Sequence, residues 1–140
     1  MNGWELLPAV LKNITGTLAL TGAVIVVSTL LALLLTPLTQ SRRWYIRLPL
    51  KSYTYIGRAL PPLTFLFAAF FGLAAAGVRV VPFTAAFLAF LVFATAYNIE
   101  ILRGGLEAVP GGQSEAARSL GVGPVLTTVR VLFPQALRIA

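Results

Sequence analysis

LALTGAVIVVSTLLALLL, residues 18–35, carries no charge and no proline, and its apolar residues run on without alternating with polar ones. An α-helix of about 20 such residues, rising about 1.5 Å each, crosses the roughly 30 Å of a bilayer's hydrocarbon. The uncharged stretch around it extends over residues 13–41, and two more follow at 59–78 and 80–99. None keeps the two-residue period of a strand. Three such runs in one short chain predict an all-α membrane protein with spans at about 14–36, 60–77 and 80–101. No basic segment precedes the first run and no small-x-small site follows it, so a cleaved signal peptide is not expected.

Composition agrees. The 140 residues are 58% hydrophobic and only 11% charged, where a soluble domain carries about a quarter. The length suits one domain. Histidine, cysteine and aspartate are absent, and the four acids are Glu5, Glu100, Glu107 and Glu115. No catalytic triad, cysteine–histidine pair or common zinc site can be assembled from these residues, so no catalytic or metal-binding residue is assigned. The two lysines, Lys12 and Lys51, do not close a phosphate-binding loop, since Leu50 stands where its second glycine would be. Energy for any driven process must therefore come from a partner.

The net charge of +7 would suit nucleic acid, but the charges flank the apolar runs instead of forming a basic stripe, so no nucleic-acid partner is expected. Arg42, Arg43, Arg47, Lys51 and Arg58 lie between the first two runs, and Arg103, Arg118, Arg130 and Arg138 follow the third. Only Lys12 and Arg79 fall on the other side. The basic side is cytoplasmic by the positive-inside rule, which puts the N-terminus outside. Trp44 and Tyr45 suit interface anchors, and Pro61-Pro62 suits the start of the second span. Gly72 and Ala76 form a small-xxx-small pair of the kind that packs helices.

On the cytoplasmic side the segment GGQSEAARSLG, residues 111–121, is charged and framed by glycines. The preceding RGGLEAVPGG is expected to end the third span. Ser114 suits an N-cap, with Glu115 in a first helical turn. Ala116 and Ala117 leave a thin face, and Gly121 suits a left-handed helix end. Gly123-Pro124 opens a second helix, with Val125, Val129, Leu132 and Phe133 on one face and Pro134 at its end. Such a hairpin could pack on its own bundle or dock on another surface. Glu100 pairs naturally with Arg103 at i+3. Thr64, Thr95 and Asn98 are polar groups at membrane depth that could line a pathway, or simply satisfy local hydrogen bonds.

These residues resemble the membrane permeases of ABC importers, specifically the polar amino acid branch. Glu115, Ala116, Ala117, Gly121, Val131, Phe133 and Pro134 fall on the family's E-A-A loop. Arg103, Gly104, Gly105, Val109, Pro110, Gly112 and Gln113 match the segment before it. Tyr53, Arg58, Pro61, Leu63, Leu66, Phe67, Phe71, Gly72 and Leu73 match its second span. Tyr55 replaces an acid there, Ala59-Leu60 replaces glycine-threonine, and Phe65 replaces a glutamine. The resemblance implies a bacterial inner-membrane permease whose cytoplasmic helical loop, about 103–135, couples to a separate ATPase through Gly112, Gln113, Glu115, Ala116, Ala117, Gly121 and Pro134. It further implies a second permease subunit, an extracytoplasmic solute-binding protein and an amino acid substrate. No cofactor is implied for this chain, since ATP belongs to the ATPase. The family continues for about two more spans, so the chain is expected to be truncated at its C-terminus. A chain so shortened could instead be a non-transporting membrane interaction or assembly protein.

Overall fold

The computed structural model describes residues 3–139, and all regular structure among them is helical. The side chains of Glu5 and Lys12 lie outside the described residues. Six helices follow one another. They are α1 (Gly3–Thr39), α2 (Trp44–Ala59), α3 (Pro62–Ala75), α4 (Pro82–Ala108), α5 (Gly111–Ser119) and α6 (124–139). Two stretches are long and apolar enough to cross a membrane, Asn13–Thr39 of α1 and Pro82–Ala108, which is α4.

Proline sets most of the boundaries. It disfavours the helical conformation in the residue before it, and its fixed φ suits the first helical position. Leu60 is accordingly extended before Pro61, and Val81 before Pro82. Val109 is extended before Pro110, and Gly123 before Pro124. The second expected span is shortened by this effect. Between the break at Leu60-Pro61 and Gly77, α3 is about 21 Å long at 1.5 Å per residue. It reaches the length of a span only together with α2, from which it is bent by 106°.

Residues 44–59, which connect the first two apolar runs, form a helix. Thr54 and Gly57 are buried on it, with Leu50 and Tyr53 half-buried, which is the i, i+3, i+4, i+7 stripe of an amphipathic helix. The third span does end within RGGLEAVPGG, but at Val109-Pro110 and not at its first glycines, since α4 continues to Ala108. Gly105 is buried there, and glycine is common in membrane helices because it lets neighbours approach.

The bundle is organised on α4, which packs against α1, α2, α3 and α6. On α1 the buried positions Val24, Ser28, Ala32 and Thr36 recur every fourth residue. On α4 the buried set includes Ala85, Ala89, Thr95, Ala96 and Ile99. Association in lipid has little hydrophobic drive and depends on close packing, which small side chains permit. Ala32, Ile99 and Leu102 form a buried apolar cluster, closed by Leu33, Leu35 and Tyr53. Leu18, Ile25, Val26, Leu30 and Leu34 stand exposed on the outer face of α1, as a lipid-facing surface requires.

The tightest approach is between α2 and α4. A Cβ added to Gly57 would lie 2.5 Å from the Cβ of Ala96. Gly57→Ala should therefore push the helices apart and cost about 1–3 kcal/mol, the usual range for overpacking. Thermal unfolding in detergent measures this, and Ala96→Gly in the same chain should recover most of the loss. Equal stability of Gly57→Ala and the parent chain would show that the two helices are not held at this distance.

Candidate functional site

The charged segment singled out in the sequence forms a short helix and a tight turn. α5 begins at Gly111 after the extended Pro110, so Ser114 lies inside it and is not its N-cap. The Ser114 hydroxyl instead donates to the Gly111 carbonyl at 3.0 Å and accepts from an Arg118 guanidinium nitrogen at 3.2 Å. Gly121 has φ +74°, the left-handed conformation expected of it. Its N–H reaches the Arg118 carbonyl at 2.9 Å, and the Val122 N–H reaches the Ala117 carbonyl at 3.0 Å. These two bonds make a Schellman closure, which needs a residue with no Cβ penalty at positive φ.

Exposure divides the segment. Gly112, Gln113, Glu115 and Ala116 face outward, whereas Ala117 is buried. The thin face read from the two alanines is therefore one alanine wide. Leu120 is 82% exposed and Val125 77%. Sequence reasoning overlooked Leu120. The signal for it was a large apolar residue placed beside the closing glycine, where the turn offers it no partner.

The next helix also departs from expectation. α6 does not end at Pro134 but continues to Ile139. A proline inside a helix lacks a donor and presses on the carbonyl four residues earlier. Residues Thr128–Leu132, just upstream, form a widened π turn in which the Phe133 N–H bonds to the Thr128 carbonyl. A turn of this kind makes room for such an insertion. Val125 and Val129 are exposed while Leu132 and Phe133 are partly buried, so the four do not share one environment. Leu132 and Phe133 pack on Leu106, Val109 and Ala136, which fixes α6 to the end of α4.

Above the loop, α4 carries a cluster of charges. The Nε of Arg103 donates to Glu100 at 3.1 Å, and its terminal nitrogens reach Glu100 and Glu107. Arg58 of α2 lies 3.7 Å from Glu100. The pairing of Glu100 with Arg103 expected from spacing is present, and α2 joins it.

The three polar residues read as candidates for a pathway face different ways. Thr64 is exposed on α3, and Thr95 is buried in the helix packing. Asn98 donates its amide to the Ser28 hydroxyl at 3.0 Å, and that hydroxyl donates to the Ile25 carbonyl at 3.2 Å. This gives Asn98 a partner on α1. Tyr53 donates to the Val92 carbonyl at 2.6 Å, a second polar tie onto α4.

Residues 28–140 match the family described as "Binding-protein-dependent transport system inner membrane component". The octopine transport system permease protein OccM of Rhizobium meliloti is 38% identical, over 96% of this chain and 59% of the relative. The probable amino-acid ABC transporter permease protein YckA of Bacillus subtilis is 34% identical, over 97% of this chain and 60% of the relative. The chain thus spans about three fifths of the length of these curated relatives. Among solved structures, the crystal structure of an amino acid ABC transporter with histidines superposes with a TM-score of 0.84. The identity is 32%, over 99% of this chain and 66% of that one.

If the Asn98–Ser28 bond locks α1 against α4, the pair should be energetically coupled. A double-mutant cycle with Ser28→Ala and Asn98→Ala should return about 0.5–1.5 kcal/mol, the range for hydrogen bonds between membrane helices. Unfolding in mixed micelles supplies the four stabilities. Additive effects would remove the bond from the account of how these helices hold their register.

Proposed function

We propose a transport role for this chain, which belongs to the family of binding-protein-dependent transport system inner membrane components. In this reading it is a permease subunit of an ATP-driven importer of polar amino acids. Relatives described as octopine and amino-acid permeases support the substrate class. ATP hydrolysis belongs to a separate cytoplasmic ATPase, and two permease subunits, alike or different, enclose the pathway. An extracytoplasmic solute-binding protein delivers the amino acid. The concentration of arginines in 42–58 and 103–138 supports a cytoplasmic position for α2, α5 and α6 and an outside N-terminus.

The observation that carries the reading is the form of α5. It is a short helix bearing Glu115-Ala116-Ala117, sealed by a left-handed glycine, with Gly112, Gln113, Glu115 and Ala116 turned outward. Its main tertiary contacts are with α6. A helix so placed offers its outer face to a groove on a partner. A push on it passes through α6 and the two residues Val109-Pro110 into α4, the helix on which the bundle is organised. Thr64, Thr95 and Asn98 are kept as candidates for the pathway. The Ser28 bond of Asn98 gives that residue a structural role beside it.

The turn at Gly121 gives the test. A left-handed conformation costs an ordinary L-residue about 1–2 kcal/mol, and asparagine bears it better. In vesicles reconstituted with the whole importer, Gly121→Leu should lower amino acid uptake per ATP hydrolysed by about tenfold, equivalent to about 1.4 kcal/mol. Gly121→Asn should fall between the two. A Gly121→Leu importer with unchanged uptake per ATP would remove α5 from the coupling path.

A further inference from the structure

The helix α2 has a feature that transport does not explain. Residues 42–58 hold five cations and no acid. α2 bends away from α3 by 106°, and it carries Trp44, Tyr45 and Tyr55 largely exposed. Amphipathic helices with basic and aromatic residues settle at the boundary between headgroups and acyl chains.

Between α2 and α4 lies an open cleft of about 310 Å³, whose lining includes Lys51, Thr54, Tyr55, Arg58, Glu100 and Arg103. Three cations therefore face one carboxylate. Glu100 is held by Arg103, which also engages Glu107, and only a 3.7 Å contact joins it to Arg58. Lys51 has no carboxylate partner among the described residues. The cleft thus keeps positive charge that its own acid does not neutralise. Leu48 and Ile56, on the same helix, are more than half exposed. The helix thus combines uncompensated cations at the cleft with an uncovered apolar surface.

We propose that this cleft holds the phosphate of an anionic membrane lipid. Lys51 and the free donors of Arg58 meet the phosphate oxygens, since charge-assisted bonds from lysine and arginine are the strong contacts to phosphate. Tyr55 stands beside them, and the acyl chains cover Leu48 and Ile56. A free phosphate would satisfy the cations but leave the exposed apolar side chains of α2 bare, which is why the lipid is the better occupant. The inference requires only that α1 and α4 cross a bilayer, and it is independent of transport and of any ATPase contact.

Native mass spectrometry of the full chain, purified in mixed micelles with equal phosphatidylglycerol and phosphatidylcholine, tests it. The parent chain should retain phosphatidylglycerol preferentially. Lys51→Glu should lower that preference about tenfold, given the worth of a basic residue near an anionic surface, and Lys51→Arg should keep it. Lys51 is exposed, so the substitution spares the packing, and circular dichroism verifies the helices. Arg42→Gln/Arg43→Gln, which removes two charges outside the cleft, should leave the preference unchanged. Unchanged retention in Lys51→Glu overturns the proposal. So does an equal loss in the Arg42/Arg43 variant, which would make the attraction diffuse. Displacement of the lipid by millimolar inorganic phosphate would assign the cleft to free phosphate and overturn it as well.

Discussion

Close contact between helices at positions with small side chains is the constraint on which this structure depends. In water, α1, α2 and α4 would be driven together by their apolar surface, but in lipid that surface gains nothing from pairing. What remains is dispersion at short range and a small number of polar ties. Ala32 on α1, Gly57 on α2 and Ala85, Ala89 and Ala96 on α4 provide the first. Asn98 to Ser28 and Tyr53 to the Val92 carbonyl provide the second. The hydroxyls of Thr36 and Thr39 serve neither purpose, because they bond to carbonyls in the preceding turn of their own helix. Most buried polar side chains in this bundle are thus either ties between helices or groups returned to their own backbone, and the Thr95 hydroxyl, buried without a hydrogen-bond partner among the described residues, is the exception.

The same economy explains where the charges stand. Glu100, Arg103 and Glu107 follow each other at three- and four-residue intervals on α4, so one face of one helix neutralises most of its own charge. Arg58 reaches the group from α2. The cluster lies beyond Asn98 and Ile99, where α4 leaves its apolar stretch. Charge is tolerated at that depth because long side chains can pair there and reach toward water. Trp44 and Tyr45 begin α2 at the same end of the bundle, with their rings edge-on at 6.5 Å.

How much of this was legible in the sequence depends on what each signal measures. Hydropathy averages over a long window, so it found α1 and α4 and missed α2, whose charged and apolar residues cancel. The helical spacing of Leu50, Tyr53, Thr54 and Gly57 was present, but a basic segment between two spans invited the reading of a loop. Glycine and proline misled in opposite ways. Gly104-Gly105 looked like a stop and is continuous helix, because Gly105 is packed and loses nothing by lacking a side chain. Pro134 looked like an end and is absorbed by the widened turn at Thr128–Leu132. Ser114 has the right chemistry for a cap, but Pro110 had already fixed the helix start. Gly121 was read correctly, since only a residue free of a Cβ penalty suits that turn. The pathway candidates were the least legible, because whether Asn98 faces a channel or a neighbour depends on a partner residue 70 positions away.

The contrast between α4 and α5 carries the last step. α4 is gripped by four helices, whereas α5 packs chiefly on α6, and Val109 and Pro110 separate it from α4. A segment with few buried contacts opens and shifts at low cost compared with a packed core. Its internal geometry is nevertheless closely determined, by the Schellman closure at one end and the Ser114–Arg118 bonds within. α5 is therefore rigid in itself and loosely held by the bundle. A loose but floppy segment could dock but not transmit force, and a segment as firmly packed as α4 could not move separately. The combination found here suits a part that moves as a unit, and α6, packed on Leu106 and Val109, ties it to the end of α4.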